Sequence, residues 1–265
     1  MSDAGTVPDF GLGTWSMAGG ECTETVARAL DLGYRHLDTA QLYDNEAAVG
    51  AGLARSDVPR EDVFLATKVD PAKLGRERLR ASVEASLDRL GVDSVDCLYV
   101  HWPRDSYEPG ETLPALDALV ADGLADGIGL SNFTPDLLDE ALARLDAPVL
   151  AHQVECHPLL PQADLRECAH EHGHALVAYS PLARGRALDL DPVRAIAGER
   201  EATPAQVVLA WAQAKGVVPI PKATGDHVRE NFAARELTLT ADELARIDGV
   251  DACERLVDPP SAPWN

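Results

Sequence analysis

Gly33-Tyr34-Arg35-His36-Leu37-Asp38-Thr39-Ala40-Gln41-Leu42-Tyr43-Asp44-Asn45-Glu46 holds one full turn of the pattern that decides the fold. Gly33 stands where the amphipathic stretch Thr23–Leu32 should stop, because glycine accepts the left-handed backbone of a helix C-terminus. Arg35–Asp38 reads as a short strand, a polar loop follows, and the next predicted helix runs Asn45–Arg55. The same order recurs down the chain. Short apolar runs, many rich in valine, predict strands at Val63–Thr67, Val95–Val100, Gly127–Leu130, Val149–Val154, Leu176–Tyr179 and Val217–Pro219. Longer amphipathic stretches predict helices at Arg76–Leu90, Thr112–Ala121, Pro135–Arg144, Ala163–Glu171, Pro204–Ala214 and Ala241–Gly249. Thr134-Pro135 and Thr203-Pro204 place an N-cap before a first-turn proline, and Gly91 and Gly173 sit at helix ends.

The strands are apolar and hardly alternate, as strands buried on both faces of a parallel sheet do. Strand and helix alternating about eight times without a change of composition predicts one α/β domain over residues 1–265, a (β/α)8 TIM barrel; a doubly wound sheet is the alternative. The chain's 265 residues suit a barrel, which typically takes about 250. The last stretch, Asp258-Pro259-Pro260-Ser261-Ala262-Pro263-Trp264-Asn265, can form neither helix nor strand and is expected to lie over the surface with Trp264 packed.

Lys and Arg number 23 against 44 Asp and Glu, a formal charge of -21. Such a surface repels phosphate backbones and anionic lipid, so neither nucleic acid nor membrane is an expected partner. The acids are dispersed rather than gathered in a tail, which fits a protein working in high salt, where screening relieves self-repulsion. Stability should therefore rise from low to molar salt; an unmoved unfolding temperature would remove that idea. The five cysteines, Cys22, Cys97, Cys156, Cys168 and Cys253, are scattered with no C-x-x-C, as in a reducing compartment. Met1–Gly5 carries no basic or apolar leader, and no apolar run reaches the ~18 residues of a membrane span, so a cytoplasmic protein is expected.

In a barrel, polar residues at the C-terminal ends of strands are the candidates for chemistry. Those ends carry Asp38 with Tyr43 just beyond, Lys68 and His101; lysine is scarce here, the others being Lys73, Lys215 and Lys222. An acid, a phenol, an amine and an imidazole on one rim suit carbonyl reduction. Adding hydride to a carbonyl leaves an alkoxide that needs a proton. A tyrosine with a pKa near 10 is a poor acid at neutral pH, and a neighbouring ammonium should lower that value. A carboxylate would hold the ammonium, and a neutral histidine would orient the substrate oxygen.

With these residues in place, the Gly33–Glu46 stretch resembles the signature of the aldo-keto reductases, the smaller microbial 2,5-diketo-D-gluconate reductase-like members among them. Gly11-Leu12-Gly13-Thr14-Trp15 resembles the family's opening, with Gly13 and Thr14 toward cofactor and Trp15 toward substrate. Ser131 and Asn132 in Gly129–Phe133, with Gln153, resemble the residues that hold the nicotinamide carboxamide. Tyr179-Ser180-Pro181-Leu182 resembles the segment that stacks the nicotinamide and then meets the pyrophosphate. Lys222 in Ile220-Pro221-Lys222 resembles the site for the adenosine 2′-phosphate, and Glu230-Asn231 the adenine contacts. The resemblance implies NADPH-dependent reduction of a small-molecule aldehyde or ketone, with Tyr43 as proton donor, Trp15, Trp102 and Trp264 lining the substrate pocket, no metal, and a monomer. Where relatives often carry Ser or Thr and then Arg, this chain has Ala223 and His227, with Thr224 as a substitute hydroxyl, so NADH use is also open. His152 and Asp44 stand where Asn and Gly are commoner. The alternative is a cofactor-binding regulatory barrel with little turnover; the intact Asp38, Tyr43, Lys68 and His101 speak against it.

Other motifs carry less. His170-Glu171-His172-Gly173-His174 matches H-E-x-x-H, but a zinc site would need both histidines on one continuous helix, and Gly173 interrupts it. Gly11-Leu12-Gly13 lacks the remainder of a dinucleotide fingerprint. Asn132-Phe133-Thr134 is a glycosylation sequon by pattern alone, and Cys156 and His157, adjacent in the chain, are expected to face apart.

Overall fold

The computed structural model describes residues 6–265; the Met1–Gly5 stretch read above for a leader lies outside them. Eight parallel strands pair in chain order: β1 (Leu12–Gly13), β2 (His36–Asp38), β3 (Phe64–Val69), β4 (Val95–Val100), β5 (Ala125–Ser131), β6 (Val149–Glu155), β7 (Ala175–Tyr179) and β8 (Val217–Pro219). The sheet closes on itself. Gly11 N–H donates to the Pro219 carbonyl at 3.0 Å and Gly13 N–H to that of Pro221 at 3.3 Å. The result is the expected (β/α)8 barrel rather than an open doubly wound sheet.

The helices are α1 (Gly19–Leu32), α2 (Glu46–Arg55), α3 (Arg76–Leu90), α4 (Pro109–Ala121), α5 (Pro135–Leu142) and α6 (Ala163–His172). After β7 come α7 (Asp191–Glu199) and α8 (Pro204–Ala214), and after β8 come α9 (His227–Phe232) and α10 (Ala241–Asp248). Gly33, Gly91 and Gly173 end α1, α3 and α6 with φ of 107°, 68° and 74°. Thr203 and Thr240 make reciprocal capping boxes with Gln206 and Glu243.

Three elements escaped the sequence reading: β1, α7 and the six-residue α9. β1 is two residues long and half glycine, so it carries no apolar run. Its glycines are steric requirements, because a Cβ on Gly11 would lie 2.8 Å from the His36 ring and one on Gly13 would lie 2.6 Å from the Ile220 carbonyl oxygen. The second is α7, set in a stretch rich in charge. Its signal was present: Val193, Ile196 and Ala197, at i, i+3 and i+4, are its buried face.

Alternation along the strands explains the site. On β3, Phe64 and Ala66 belong to the barrel's interior cluster while Leu65 and Val69 pack toward the helices. On β4, Cys97 and Tyr99 face inward and Leu98 and Val100 outward. Carrying that period of two to the C-terminal ends turns Lys68 and His101 inward above a plug of apolar side chains. Gly129 makes room for the plug, since a Cβ there would lie 2.2 Å from the Tyr99 ring. The fold is thus a rigid cup with its polar groups at one end.

Candidate active site

At that end lies a cleft of about 520 Å³, and Asp38, Tyr43 and His101 line it. Lys68 stands behind them, fully buried. Its Nζ forms an ion pair with Asp38 Oδ1, donates to the Thr39 carbonyl at 3.0 Å and to the Tyr43 hydroxyl at 3.3 Å. Gln153 Nε2 donates to the other Asp38 oxygen at 2.7 Å, so both carboxylate oxygens are engaged. The Tyr43 and His101 rings meet edge to face, 5.7 Å between centroids. The four residues singled out from strand ends are brought together.

The loop that presents Tyr43 is braced by residues of the same signature. The Thr39 hydroxyl donates to Asn45 Oδ1 at 2.8 Å, and Asn45 Nδ2 donates to the carbonyls of Thr14 and Met17 at 2.8 and 3.1 Å. Glu46, buried, accepts from the Thr67 hydroxyl at 2.6 Å and from Arg89 Nε at 2.8 Å. Gln41 reaches α3 at Ser82 and Ser86. Asp44, where glycine is commoner, takes a left-handed backbone, φ 53°. Asparagine and aspartate tolerate that region better than most residues.

Electrostatics correct one expectation. Burial raises the Tyr43 hydroxyl above its ordinary pKa; the Lys68 charge pulls it down but does not overcome burial. Tyr43 is therefore neutral at physiological pH, with the Lys68 ammonium placed where it would stabilise a phenolate. Lys68 itself would lose its charge through burial, but Asp38 and then Tyr43 more than restore it, and its pKa ends above the usual one. His101 is pushed well below the usual imidazole range, by burial first and then by the charges of Lys68 and Arg104. It is neutral, as orienting an oxygen by hydrogen bonding requires.

The other expected residues divide. Gly13, Ser131, Asn132, Gln153, Tyr179, Ser180, Pro181, Leu182 and Lys222 line the cleft, as do Trp15 and Trp102. Asn132 Nδ2 donates to the His101 carbonyl and to Ser131 Oγ, both at 3.0 Å, and its Oδ1 accepts from the Tyr179 hydroxyl at 2.8 Å. Trp15 and Leu42 stand 56% and 49% exposed at the cleft, so apolar surface is offered to whatever enters. Thr14 is a correction: it lies beneath the wall, fully buried, its hydroxyl on the Asp38 backbone carbonyl at 3.0 Å. Trp264 is another. It packs behind Trp102 with its ring tilted, 5.7 Å between centroids, and does not line the cleft. Thr224, His227, Glu230 and Asn231 also lie outside the lining, and His227 Nδ1 is 3.0 Å from Glu230 Oε2, so its charge would be neutralised there. The reading missed Arg184, Gly185 and Val257, which line the cleft from loops. Of the discounted motif, α6 ends at His172, so His170 and His174 do not share one helix.

A sequence model of the aldo/keto reductase family matches residues 9–252. Methylglyoxal reductase DkgB of Escherichia coli O157:H7 is 39% identical over 257 residues, 96% of this chain and 96% of that one. Glyoxal reductase of Bacillus subtilis (strain 168) is 39% identical over 253 residues, 94% of this chain and 91% of that protein. Among solved structures, aldose reductase from Schistosoma japonicum superposes with a TM-score of 0.92 at 30% identity, over 100% of this chain and 95% of that one.

Proposed function

This chain belongs to the aldo/keto reductase family and reduces carbonyl compounds, and from that premise we propose that Tyr43 is its proton donor, NADPH its preferred reductant and short dicarbonyls its substrates. The observation that carries the proposal is the buried Asp38–Lys68 pair with its ammonium 3.3 Å from the Tyr43 hydroxyl. The cleft wall suits a nicotinamide cofactor. It sets neutral hydrogen-bonding groups (Ser131, Asn132, Gln153) beside the Tyr179 ring, and it ends on Lys222, an exposed lysine without an ion-pair partner among the described residues. Bound there, the cofactor would supply hydride to the carbonyl carbon.

The chain's own groups do the rest. His101, neutral, hydrogen-bonds the carbonyl oxygen and fixes its direction. As negative charge grows on that oxygen, the Tyr43 hydroxyl gives up its proton to it. Lys68 stabilises the phenolate, and Asp38, steadied by Gln153, keeps Lys68 charged and in place. Trp15 and Trp102 offer an apolar wall that limits water.

The deciding experiment follows nicotinamide absorbance with NADPH, then NADH, against methylglyoxal, an aromatic aldehyde and a keto sugar in high salt. Absorbance should fall fastest with NADPH and methylglyoxal. Cofactor binding without turnover of any carbonyl would instead favour the regulatory barrel. Lys222→Ala should raise KM for NADPH about tenfold and leave KM for NADH within about twofold, as loss of one phosphate contact would. An equal rise for both cofactors would remove Lys222 from the phosphate site. A cytoplasmic monomer is part of the proposal; five free cysteines, and no helix long and apolar enough to cross a membrane among the described residues, fit its cytoplasmic part.

A further inference from the structure

β6 ends at Glu155, whose side chain is completely buried and has no lysine or arginine partner. Its Oε1 accepts from His157 Nε2 at 3.0 Å and from the Leu256 backbone N–H at 2.9 Å; its Oε2 accepts from the Val257 N–H at 2.9 Å. Burial pushes this carboxyl up, but the hydrogen bonds from His157, Val257 and Leu256 bring it below its ordinary value, so it is ionised. A buried carboxylate spent on two consecutive backbone amides some hundred residues away is a clamp.

What it clamps has little structure of its own. Residues 251–265 form neither helix nor strand. Their position depends on anchors to the barrel: Glu254, with its N–H on the Leu159 carbonyl at 2.7 Å and its carboxylate 2.6 Å from Arg186, then the Glu155 carboxylate, then Ser261 on Arg104, and last the Trp264 ring against Trp102. Between the second and third anchors runs the segment that begins with Val257, and Val257 lines the cleft with Trp102, Tyr43 and His101.

We infer that Glu155 is a positioning residue that sets the cleft's size: by holding the amides of Leu256 and Val257 it fixes where the C-terminal segment stands, and so which carbonyl compounds fit. It touches no reacting atom. Releasing it frees Val257 without disturbing Asp38, Tyr43, Lys68 or His101. The effect belongs on substrates large enough to reach Val257, and this inference rests on the reading of the cleft as a carbonyl-reducing site.

Glu155→Gln keeps the shape but turns an N–H toward one of the two amides. In that variant, hydrogen exchange of the C-terminal peptide should quicken about a hundredfold over the wild type, since a local opening replaces a buried bond. KM for an aromatic aldehyde should shift about tenfold, with kcat, KM for methylglyoxal and the cofactor Kd by fluorescence quenching all within about twofold. Leu256→Pro removes one of the two amide donors and leaves the cleft-lining Val257 side chain in place. It should reproduce the faster exchange and the KM shift, and the double variant should add nothing to either, as expected of one shared interaction. If Glu155→Gln does not fold, Leu256→Pro decides. The inference is overturned if exchange is unchanged, or if both KM values, kcat and Kd move together. A wild type that turns over no carbonyl would fail the functional reading, while the exchange result would still test the clamp.

Discussion

Tyr43→Phe is expected to lower kcat by about two to four orders of magnitude, the usual worth of a positioned general acid, with cofactor Kd within about twofold. The variant removes a single oxygen. Phenylalanine keeps the ring that meets His101 edge to face and lies 5.0 Å from Lys68 Nζ, so the cleft should keep its shape. What is lost is the proton that the alkoxide must receive. The Asp38–Lys68 pair remains buried and intact in the variant, so folding should not suffer, and a thermal melt within a few degrees of the wild type would show that the loss is chemical. Retention of more than about a tenth of the wild-type kcat would assign proton delivery to another group, with His101 the next candidate.

The pH profile sharpens the same argument. Tyr43 is held above the ordinary tyrosine value and His101 well below the ordinary imidazole value. Both are in their working neutral forms across the physiological range, so the rate of carbonyl reduction should be flat through neutrality. Had Lys68 simply made Tyr43 acidic, the rate would fall as pH rises through a lowered tyrosine pKa. Lys68→Met should cost at least as much as Tyr43→Phe, because it strips the charge that stabilises the phenolate and leaves the buried Asp38 carboxylate unpaired.

Asp38, Lys68 and His101 were legible because two ordinary rules converge on them. Apolar runs mark strands, and a polar residue at the C-terminal end of a buried strand breaks its pattern for a reason. Tyr43 followed from the loop attached to Asp38. What was not legible depends on backbone that side chains do not announce. Arg184 and Gly185 reach the cleft because Ser180, Ala183, Arg184 and Gly185 take positive φ values of 48°, 51°, 52° and 93°, and three of those four residues give no warning of it. Val257 reaches it from a segment with neither helix nor strand, held against the barrel by contacts such as that of Glu155. Trp264 was expected to pack, and does, but which face of Trp102 it would take is a matter of tertiary contact. The same holds for His227, whose pairing with Glu230 cannot be read from a spacing of three residues alone. β1 escaped because it is two residues long and its glycine is required where a side chain would clash.

Stability should drop steeply between about pH 6.5 and pH 5, and the cause is histidine, not carboxylate. Among the described residues, no ring nitrogen of His36, His152 or His174 makes a well-formed hydrogen bond. Burial lowers His36 to about 4 and His152 to about 3, and burial with His172 lowers His174 to about 4. A histidine depressed in the folded state is neutral there but takes a proton once unfolded, near pH 6.5. Its contribution is therefore whole above the unfolded value and is lost as pH falls below it, until the folded value is reached. His101, held well below the usual range, behaves the same way. At pH 5 each such group costs about 2 kcal/mol, so four cost about 8, against a typical total of about 5–15. For a chain of this size the unfolding temperature should fall by about 15 °C from pH 7 to pH 5. Easing of the acidic surface's self-repulsion has the opposite sign, but carboxylates protonate mostly nearer pH 4, and melts in molar salt would screen it. His152→Asn, which puts an amide where the buried imidazole stands, should remove about a quarter of the drop while leaving the other three histidines to titrate. A melting temperature that stays level from pH 7 to pH 5 would mean that these rings are solvated or partnered as the chain breathes, and the account of the barrel wall between β6 and α6 would have to change with it.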